Sequence, residues 1–243
     1  MSEQRIAGVL GGMGPMATVD FLAKIVALTP AARDQEHVPM AVIQMPQIPD
    51  RSTAILEGSD APFPELLRGL TRLAAAGAQF AVMPCNSAHH WYERLVDSQP
   101  LKILHIADAV LLELRRRNRS SEAVSVFATR GTIRSGFYAE RLRDDGRAIV
   151  PVDTLTQQLI DRSIASTKAG LHAVAARFAD EAARRALAAG AQTLVLACTE
   201  LPLALAGSPL LEACVDSTME LARCSVAEST AKCSPLRSPQ SGP

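Results

Sequence analysis

Two segments of this chain are near copies of each other, and each ends in a cysteine. Residues 76–85 read AGAQFAVMPC and residues 189–198 read AGAQTLVLAC, so corresponding positions lie 113 residues apart. Each copy passes from the end of a helix through a glycine turn into an apolar strand, and small polar residues follow the cysteine. A chain with this duplication is expected to fold as two similar halves, each with one thiol at the end of a strand.

Short apolar runs alternate with alanine- and leucine-rich stretches along the chain, a pattern typical of parallel sheets with helices on both faces. Strands are predicted at residues 6–10, 38–45, 80–83, 103–106, 123–128, 148–150 and 193–196. Helices are predicted at residues 16–28, 64–76, 108–117, 136–144, 155–166, 171–189 and 217–229. The sequence therefore predicts an α/β fold of two pseudo-symmetric three-layer domains with parallel sheets, which face each other across a cleft.

The same pattern divides the chain. We expect residues 1–107 to form the N-terminal domain, to which a C-terminal helix at about 217–230 returns, and residues 108–216 to form the second domain. Residues 232–243 contain three prolines and no apolar periodicity, so we predict a disordered tail there.

Charge and cysteine usage exclude several classes of partner. With 25 basic and 25 acidic side chains and no basic stripe interleaved with aromatic residues, the chain is not expected to bind nucleic acid. It has neither a signal-peptide pattern nor an apolar run of the ~20 residues that a membrane span needs, so we expect a cytoplasmic protein without membrane contact. Its five cysteines include no C-x-x-C pair, which argues against a disulfide framework and a zinc site.

Cys85 and Cys198 are the candidate reactive groups. In parallel α/β sheets, ligands bind outside the carboxyl ends of the strands, where both cysteines are predicted to lie. A further helix is expected to follow each cysteine, and its backbone N–H groups and dipole can stabilise a thiolate. A single cysteine after a strand is usually a small buried residue, but two at matched positions of a duplication favour a pair that acts on opposite faces of one carbon.

Several motifs together resemble the aspartate/glutamate racemase family, in the branch of cofactor-independent amino-acid racemases nearest aspartate racemase. The resemblance spans residues 6 to about 220. The segments that carry it are GGMGPMAT at 11–18, QIPDR at 47–51, MPCNSAH at 83–89, ATRGT at 128–132, Lys168-Ala169-Gly170 and LACTELPL at 196–203.

The resemblance implies two domains with the active site in the interdomain cleft. It also implies racemisation of an amino acid, aspartate and possibly glutamate, by a two-base mechanism without pyridoxal phosphate, metal or any other cofactor. Cys85 and Cys198 would be the two bases, one a thiolate that takes the Cα proton and the other a thiol that donates on the opposite face. The resemblance further implies a homodimer.

Further residues complete the predicted site. The resemblance implies that Asn86, Ser87 and Thr199 hold the α-amino and α-carboxylate groups, while Arg51, in a proline-rich loop, and Lys168 match positions associated with a side-chain carboxylate. Negative charge builds on the α-carboxylate during deprotonation, so hydroxyl donors are also expected there. The predicted substrate-binding residues are Met13, Gln47, Arg51, Asn86, Ser87, Thr129, Thr132, Lys168, Thr199 and Glu200.

Some residues allow more than one interpretation. Residues 11–15 resemble a phosphate loop but lack its spacing, which favours a turn that lines the cleft and places Met13 against the substrate. His89 and His90 follow Cys85 by about one helical turn, so Cys–His catalysis competes with a packing role. Glu200 could orient its neighbours or tune the thiol of Cys198.

Other functions stay open on the same scaffold. Maleate isomerases and hydantoin racemases also use two cysteines, whereas arylmalonate decarboxylases need only one, so the pair argues against a decarboxylase. A non-catalytic amino-acid-binding protein that kept the cleft is a further alternative, against which the intact cysteine pair counts.

Overall fold

The computed structural model describes residues 4–117 and 122–231. The predicted tail at 232–243 lies outside these residues. The described chain contains two separate parallel sheets, which confirms the predicted α/β class with two facing units.

The first sheet has four parallel strands in the order β2-β1-β3-β4. Buried runs such as Ala7–Gly11 and Phe80–Val82 form its centre, because strands covered on both faces expose no polar side. The elements are β1 Ala7–Gly11, α1 Pro15–Leu28, β2 Met40–Gln44, α2 Arg51–Glu57, α3 Pro62–Ala75, β3 Phe80–Val82, α4 Tyr92–Ser98 and β4 Lys102–Ile103, with short 3-10 helices at Asp34–Glu36 and Ser87–Trp91.

The second sheet has three parallel strands in the order β5-β6-β7. Its elements are β5 Val124–Ala128, α6 Arg130–Ser135, α7 Phe137–Asp144, α8 Thr154–Lys168, α9 His172–Ala188, β6 Thr193–Ala197, α10 Leu201–Ala204, a 3-10 helix at Pro209–Ala213 and β7 Cys214–Asp216. The predicted strand at 148–150 is reduced to a single bridge between Ile149 and Val124 on the free side of β5. That bridge occupies the position that β2 takes beside β1, so the two sheets share one strand order.

Helices α5, Ile106–Arg116, and α11, Ser217–Thr230, lie between the two sheets. One side of α5 packs with the core of the first sheet through Ile106 and Ala109, while Val110 and Leu114 pack with the core of the second. Helix α11 contacts both α1 and α5. Its end is tied to the N-terminal segment, where the Ser229 hydroxyl donates to the Arg5 carbonyl at 2.7 Å. The exact domain boundaries stay a prediction.

Local differences from the predicted elements have physical causes. Helix α3 begins at Pro62, two residues before the predicted start at residue 64, because Pro62 suits the first turn of a helix. The short helices α2 and α6 were not predicted, and α2 begins at Arg51, where a proline-rich loop was expected. Each starts at a side-chain cap, where Asp50 accepts from the Thr53 N–H and Thr129 accepts from the Thr132 N–H.

Candidate active site

Cys85 and Cys198 lie just beyond the carboxyl ends of β3 and β6, which are inner strands of their sheets. Both are free thiols, and each side chain is buried, with 6% of its surface exposed. The two cysteines line the same inner cavity, whose volume is about 30 Å³. The inner cavity is lined by Met13, Asp50, Arg51, Ser52, Cys85, Asn86, Ser87, Thr129, Lys168, Ala197, Cys198, Thr199 and Glu200.

Eight of the ten predicted substrate-binding residues line this cavity, and two do not. Thr132 is buried behind it, where its hydroxyl lies 2.8 Å from Ser87 Oγ and 3.1 Å from Thr129 Oγ1. It therefore supports two hydroxyls that do line the cavity. Gln47 is exposed in the loop after β2 and lies outside the cavity lining.

A larger outer chamber of about 530 Å³ adjoins the inner cavity. The two spaces share Asp50, Arg51, Lys168 and Glu200 as lining residues. The outer chamber is otherwise lined by Gly12, Gly14, Pro15, Met16, Ala17, Pro46, Ile48, Thr167 and Leu203. The glycine-rich turn after β1 thus lines the cleft. The sequence analysis favoured this position over a phosphate loop.

Hydrogen bonds fix the side chain of Asn86, which follows Cys85. The Tyr138 hydroxyl donates to Asn86 Oδ1 at 2.6 Å, and Asn86 Nδ2 donates to Ser217 Oγ at 3.0 Å. Ser217 in turn donates to the Leu196 carbonyl at 2.8 Å, so its oxygen is left to accept from the amide. The loop at residues 83–86, between β3 and the 3-10 helix, is called the Cys85 loop. The chain of hydrogen bonds connects it with β6, the strand that precedes Cys198. Burial raises the pKa of Tyr138, which keeps its hydroxyl protonated as the donor.

His89 is tied to the backbone through both ring nitrogens. Nδ1 lies 3.0 Å from the Cys85 carbonyl, and Nε2 accepts from the Ile106 N–H at 3.3 Å. An N–H can only donate and a carbonyl can only accept, so the proton of the neutral ring is on Nδ1. Burial lowers the pKa of His89 to about 4. These contacts support a packing role that fixes the Cys85 loop and leave no ring nitrogen for Cys–His catalysis.

Cys198 has a carboxylate beside it. Its Sγ donates to Glu200 Oε2 at 3.1 Å, and the Thr199 hydroxyl donates to the same oxygen at 3.0 Å. Burial, followed by the negative charge of Glu200, holds the pKa of the Cys198 thiol well above its ordinary value. Cys198 is therefore a thiol at neutral pH.

Arg51 is a buried cation without a carboxylate partner among residues 4–117 and 122–231. It is 9% exposed, and its guanidinium donates from Nη1 to the carbonyls of Ile48 and Pro49 at 2.9 and 3.0 Å. Its Nε is buried, and no hydrogen-bond partner for it exists in the described part of the chain. A buried charge of this kind is costly unless an anion completes its shell.

Lys168, the last residue of α8, brings a second positive charge to the cavity. Its side chain is exposed, and its charge lowers the pKa of Cys198, although burial and Glu200 outweigh it. The pKa of Asp50 lies below its usual value: burial would raise it, but hydrogen bonds from Thr53 and the charges of Arg51 and Lys168 prevail. The cavity therefore combines two cations with two carboxylates.

The two halves meet closely beside the cavity, where α6 packs against α2. The Gly131 N–H donates to Ser52 Oγ at 3.0 Å, and a Cβ at Gly131 would lie 2.6 Å from the Ser52 Cα. Nearby, the Ser87 hydroxyl lies 3.0 Å from Thr129 Oγ1 of the other half. Only glycine allows this approach of the two backbones.

Several residues of the site or its support were not predicted from the sequence. Asp50 and Ser52 flank Arg51, and the helix cap formed by Asp50 was the available signal for them. Tyr138 and Ser217 hold Asn86 from distant parts of the chain, and no local motif marks either residue.

Across residues 4–117 and 122–231, no cluster of three or more His, Cys, Asp or Glu side chains could hold a metal ion. Within the same ranges, no helix combines the length and apolar character needed to cross a bilayer.

Comparisons with known proteins show the family of the chain. The model of the Asp/Glu/hydantoin racemase family matches residues 10–223. The broad specificity amino-acid racemase RacX of Bacillus subtilis is 28% identical over 200 residues, which are 80% of this chain and 85% of that protein. Picrophilus torridus aspartate racemase has a TM-score of 0.83 and 29% identity, over 93% of this chain and 94% of that one.

A more distant structure shows the shared fold alone. Glutamate racemase from Francisella tularensis, solved with D-glutamate, has a TM-score of 0.64 at 14% identity, over 92% of this chain and 80% of that one. Because the family model spans most of the chain, the protein belongs to the Asp/Glu/hydantoin racemase family, and the predicted enzyme class, an amino-acid racemase, is confirmed.

Proposed function

We propose that the protein racemises aspartate, without a cofactor, by a two-base mechanism in which Cys85 and Cys198 act on opposite faces of the substrate Cα. The observation that carries this proposal is the shared cavity, which both cysteines line together with the buried Arg51, whose Nε has no hydrogen-bond partner among the described residues. A thiol pair supplies the proton acceptor and donor, and the arginine supplies an anchor for an anionic substrate.

The charges of the cavity favour an acidic side chain. Asp50 accepts the Thr53 N–H at 2.8 Å, and Glu200 accepts from Cys198 and Thr199, so both carboxylates already have partners. Arg51 and Lys168 take part in no ion pair among the described residues, and a side-chain carboxylate of the substrate would complete their shells. A planar guanidinium suits a carboxylate because it can donate two parallel hydrogen bonds.

The reaction needs one deprotonated and one protonated sulfur. Cys85, as the thiolate, removes the Cα proton of one enantiomer, and Cys198, as the thiol beside Glu200, delivers its proton to the opposite face. The negative charge that develops on the α-carboxylate is met by the hydroxyls of Ser87 and Thr129. In the reverse direction the two sulfurs exchange roles.

The test is incubation of the pure protein with L-aspartate in deuterated water, with no cofactor added. D-aspartate should accumulate to a racemic mixture, and its Cα should carry deuterium. A folded protein that neither inverts nor exchanges aspartate or glutamate would contradict the proposal. Maleate and a hydantoin should be assayed beside them, since conversion of either with aspartate left untouched would assign the related isomerase or racemase activity.

A second candidate function is racemisation of several amino acids. It is supported by the outer chamber of about 530 Å³, which gives a longer side chain room beyond Arg51 and Lys168, and by the likeness to a broad specificity racemase. A panel of L-amino acids scored for loss of chirality decides between the two. Turnover of aspartate alone supports the narrow function, and comparable turnover of longer side chains supports the broad one.

A further inference from the structure

Glu200 occupies a distinctive position, because its carboxylate touches the buried thiol and also lines the outer chamber. Oε2 accepts the hydrogen bond from Cys198 Sγ at 3.1 Å. Oε1 points the other way: a Cβ placed on Gly14 would lie 3.5 Å from it, and Gly14 lines the outer chamber but not the inner cavity. One side chain thus bridges the two spaces.

We propose that Glu200 holds Cys198 in its thiol form and returns a proton to it from the outer chamber after each turnover. This inference rests on the proposed two-cysteine racemisation. Once Cys198 has given its proton to the substrate, a thiolate and a carboxylate lie side by side in a buried site, and their repulsion favours rapid reprotonation of the sulfur.

The proton transfer balances without any further reactant. A hydronium ion in the outer chamber gives its proton to Oε1 of Glu200 and becomes water. The carboxyl group turns about its Cγ–Cδ bond and passes the proton to the Cys198 thiolate, which restores the thiol and the carboxylate. Cys85 loses the proton that it took from the substrate to solvent, so the enzyme returns to its starting form.

The charged groups that share the two spaces with Glu200 are Lys168, Arg51 and Asp50. Lys168 stabilises a thiolate at Cys198, but burial and Glu200 outweigh it and keep the pKa of this thiol raised. Neutralising Glu200 should therefore shift the balance of Cys198 toward the thiolate.

The first test uses the free protein and needs no turnover. The rate of alkylation of Cys198 by iodoacetamide is followed by peptide mass spectrometry from about pH 6 to pH 10, a range that brackets an ordinary thiol. The wild-type Cys198, whose pKa is raised, should react slowly across this range. In Glu200→Gln the same alkylation rate should be reached about one to three pH units lower, while the Cys85 curve is the same in both proteins. Glu181→Gln, which removes an exposed carboxylate of α9, is the matched control. An unchanged Cys198 curve in a folded Glu200→Gln protein overturns the proposal.

The second test addresses the return of the proton. In Glu200→Gln, the racemisation rate obtained from progress curves should fall as the total amino acid concentration rises. The reason is that product binds to enzyme whose Cys198 is still a thiolate and is converted back. The wild type and Glu181→Gln should not slow. Identical concentration dependence in Glu200→Gln and the wild type overturns the relay.

Two remaining outcomes are also decided. If Glu200→Gln does not racemise, deuterium exchange at Cα of the one enantiomer that Cys85 deprotonates supports the relay, and loss of that exchange overturns it. If the wild type racemises no amino acid, the proposed function fails, and the alkylation curves alone decide whether Glu200 holds the Cys198 proton.

Discussion

The two cysteine loops come from duplicated sequence, yet different groups surround their sulfurs. Beside Cys85, the neighbouring Asn86 is held by Tyr138 and Ser217, and His89 holds the loop through the Cys85 carbonyl. Beside Cys198, the carboxylate of Glu200 accepts a hydrogen bond directly from the thiol. The duplication therefore places a sulfur at the end of each strand, while the residues that follow each cysteine give the two sulfurs different surroundings. In the proposed mechanism, this difference assigns the acid role to Cys198 and the base role to Cys85.

The largest expected effect is the loss of either sulfur. Cys85→Ser and Cys198→Ser should each reduce racemisation by about 10³-fold or more, since a hydroxyl is a far weaker base and acid at neutral pH. Chiral chromatography of aspartate measures the change. Cys224→Ser, which alters a thiol outside the cavity, should keep wild-type turnover. Undiminished turnover in either of the first two variants would mean that the two loops do not act as a pair.

The stability of the folded protein should depend on pH through His89, which holds the Cys85 loop. Its pKa is lowered to about 4 in the folded protein, while an unfolded histidine titrates near 6.5. Between these values only the unfolded chain binds the proton, so stability is lost as pH falls from 6.5 toward 4, by about 3 kcal/mol for this group. Urea denaturation should give a flatter pH dependence for His89→Gln than for the wild type.

The control for that measurement is His172→Gln, which changes an exposed histidine at the start of α9. It should leave the pH dependence of stability as it is in the wild type. If His89→Gln kept the full wild-type slope, the buried neutral ring would not be what holds the Cys85 loop.

Arg51 of the first half and Lys168 of the second half should contribute unequally to substrate binding. Arg51 is buried and Lys168 is exposed, so Arg51→Met should raise the KM for aspartate by about 10- to 100-fold, the value of a lost charge-assisted hydrogen bond. Lys168→Met should have a smaller effect, since water screens an exposed charge. Steady-state kinetics measures both, with exposed Arg72→Met as the control. A larger effect at Lys168 would assign substrate anchoring to the second half.

The smallest expected effect concerns the bonds that hold Asn86. Tyr138→Phe removes the 2.6 Å hydrogen bond and leaves Asn86 Oδ1 without its donor. Stability should fall by about 1–2 kcal/mol, with kcat lower by about tenfold or less, because the amide loses its fixed orientation. Urea unfolding and initial rates measure the two changes. Unaltered stability and kcat would show that the Cys85 loop needs no such support.

The fold and the cysteine pair were largely predictable, because both rest on local patterns. Strands β1, β3, β5 and β6 follow from short buried apolar runs, and the repeat places each cysteine at the carboxyl end of its strand. A strand was predicted at residues 148–150, but only Ile149 forms a bridge there. An apolar triplet does not reveal whether a neighbouring strand will pair along its whole length.

Other parts of the site depend on contacts between distant residues. Helices α2 and α6 are too short to show an apolar period, although the caps at Asp50 and Thr129 marked their starts. The approach of Gly131 to Ser52 and the hydroxyl cluster at Thr132 arise only when the two halves meet. The hydrogen bond from Cys198 to Glu200 is local, but only coordinates give its direction and its burial.

The central claim is that one sulfur lies on each face of the same Cα, and deuterium exchange by the two single-cysteine variants tests it most directly. In deuterated water, Cys198→Ser should exchange the Cα hydrogen of one enantiomer of aspartate, and Cys85→Ser should exchange only the other enantiomer. Exchange by Cys85→Ser should require higher pH, because Cys198 keeps its proton beside Glu200. Exchange of the same enantiomer by both variants would contradict the account.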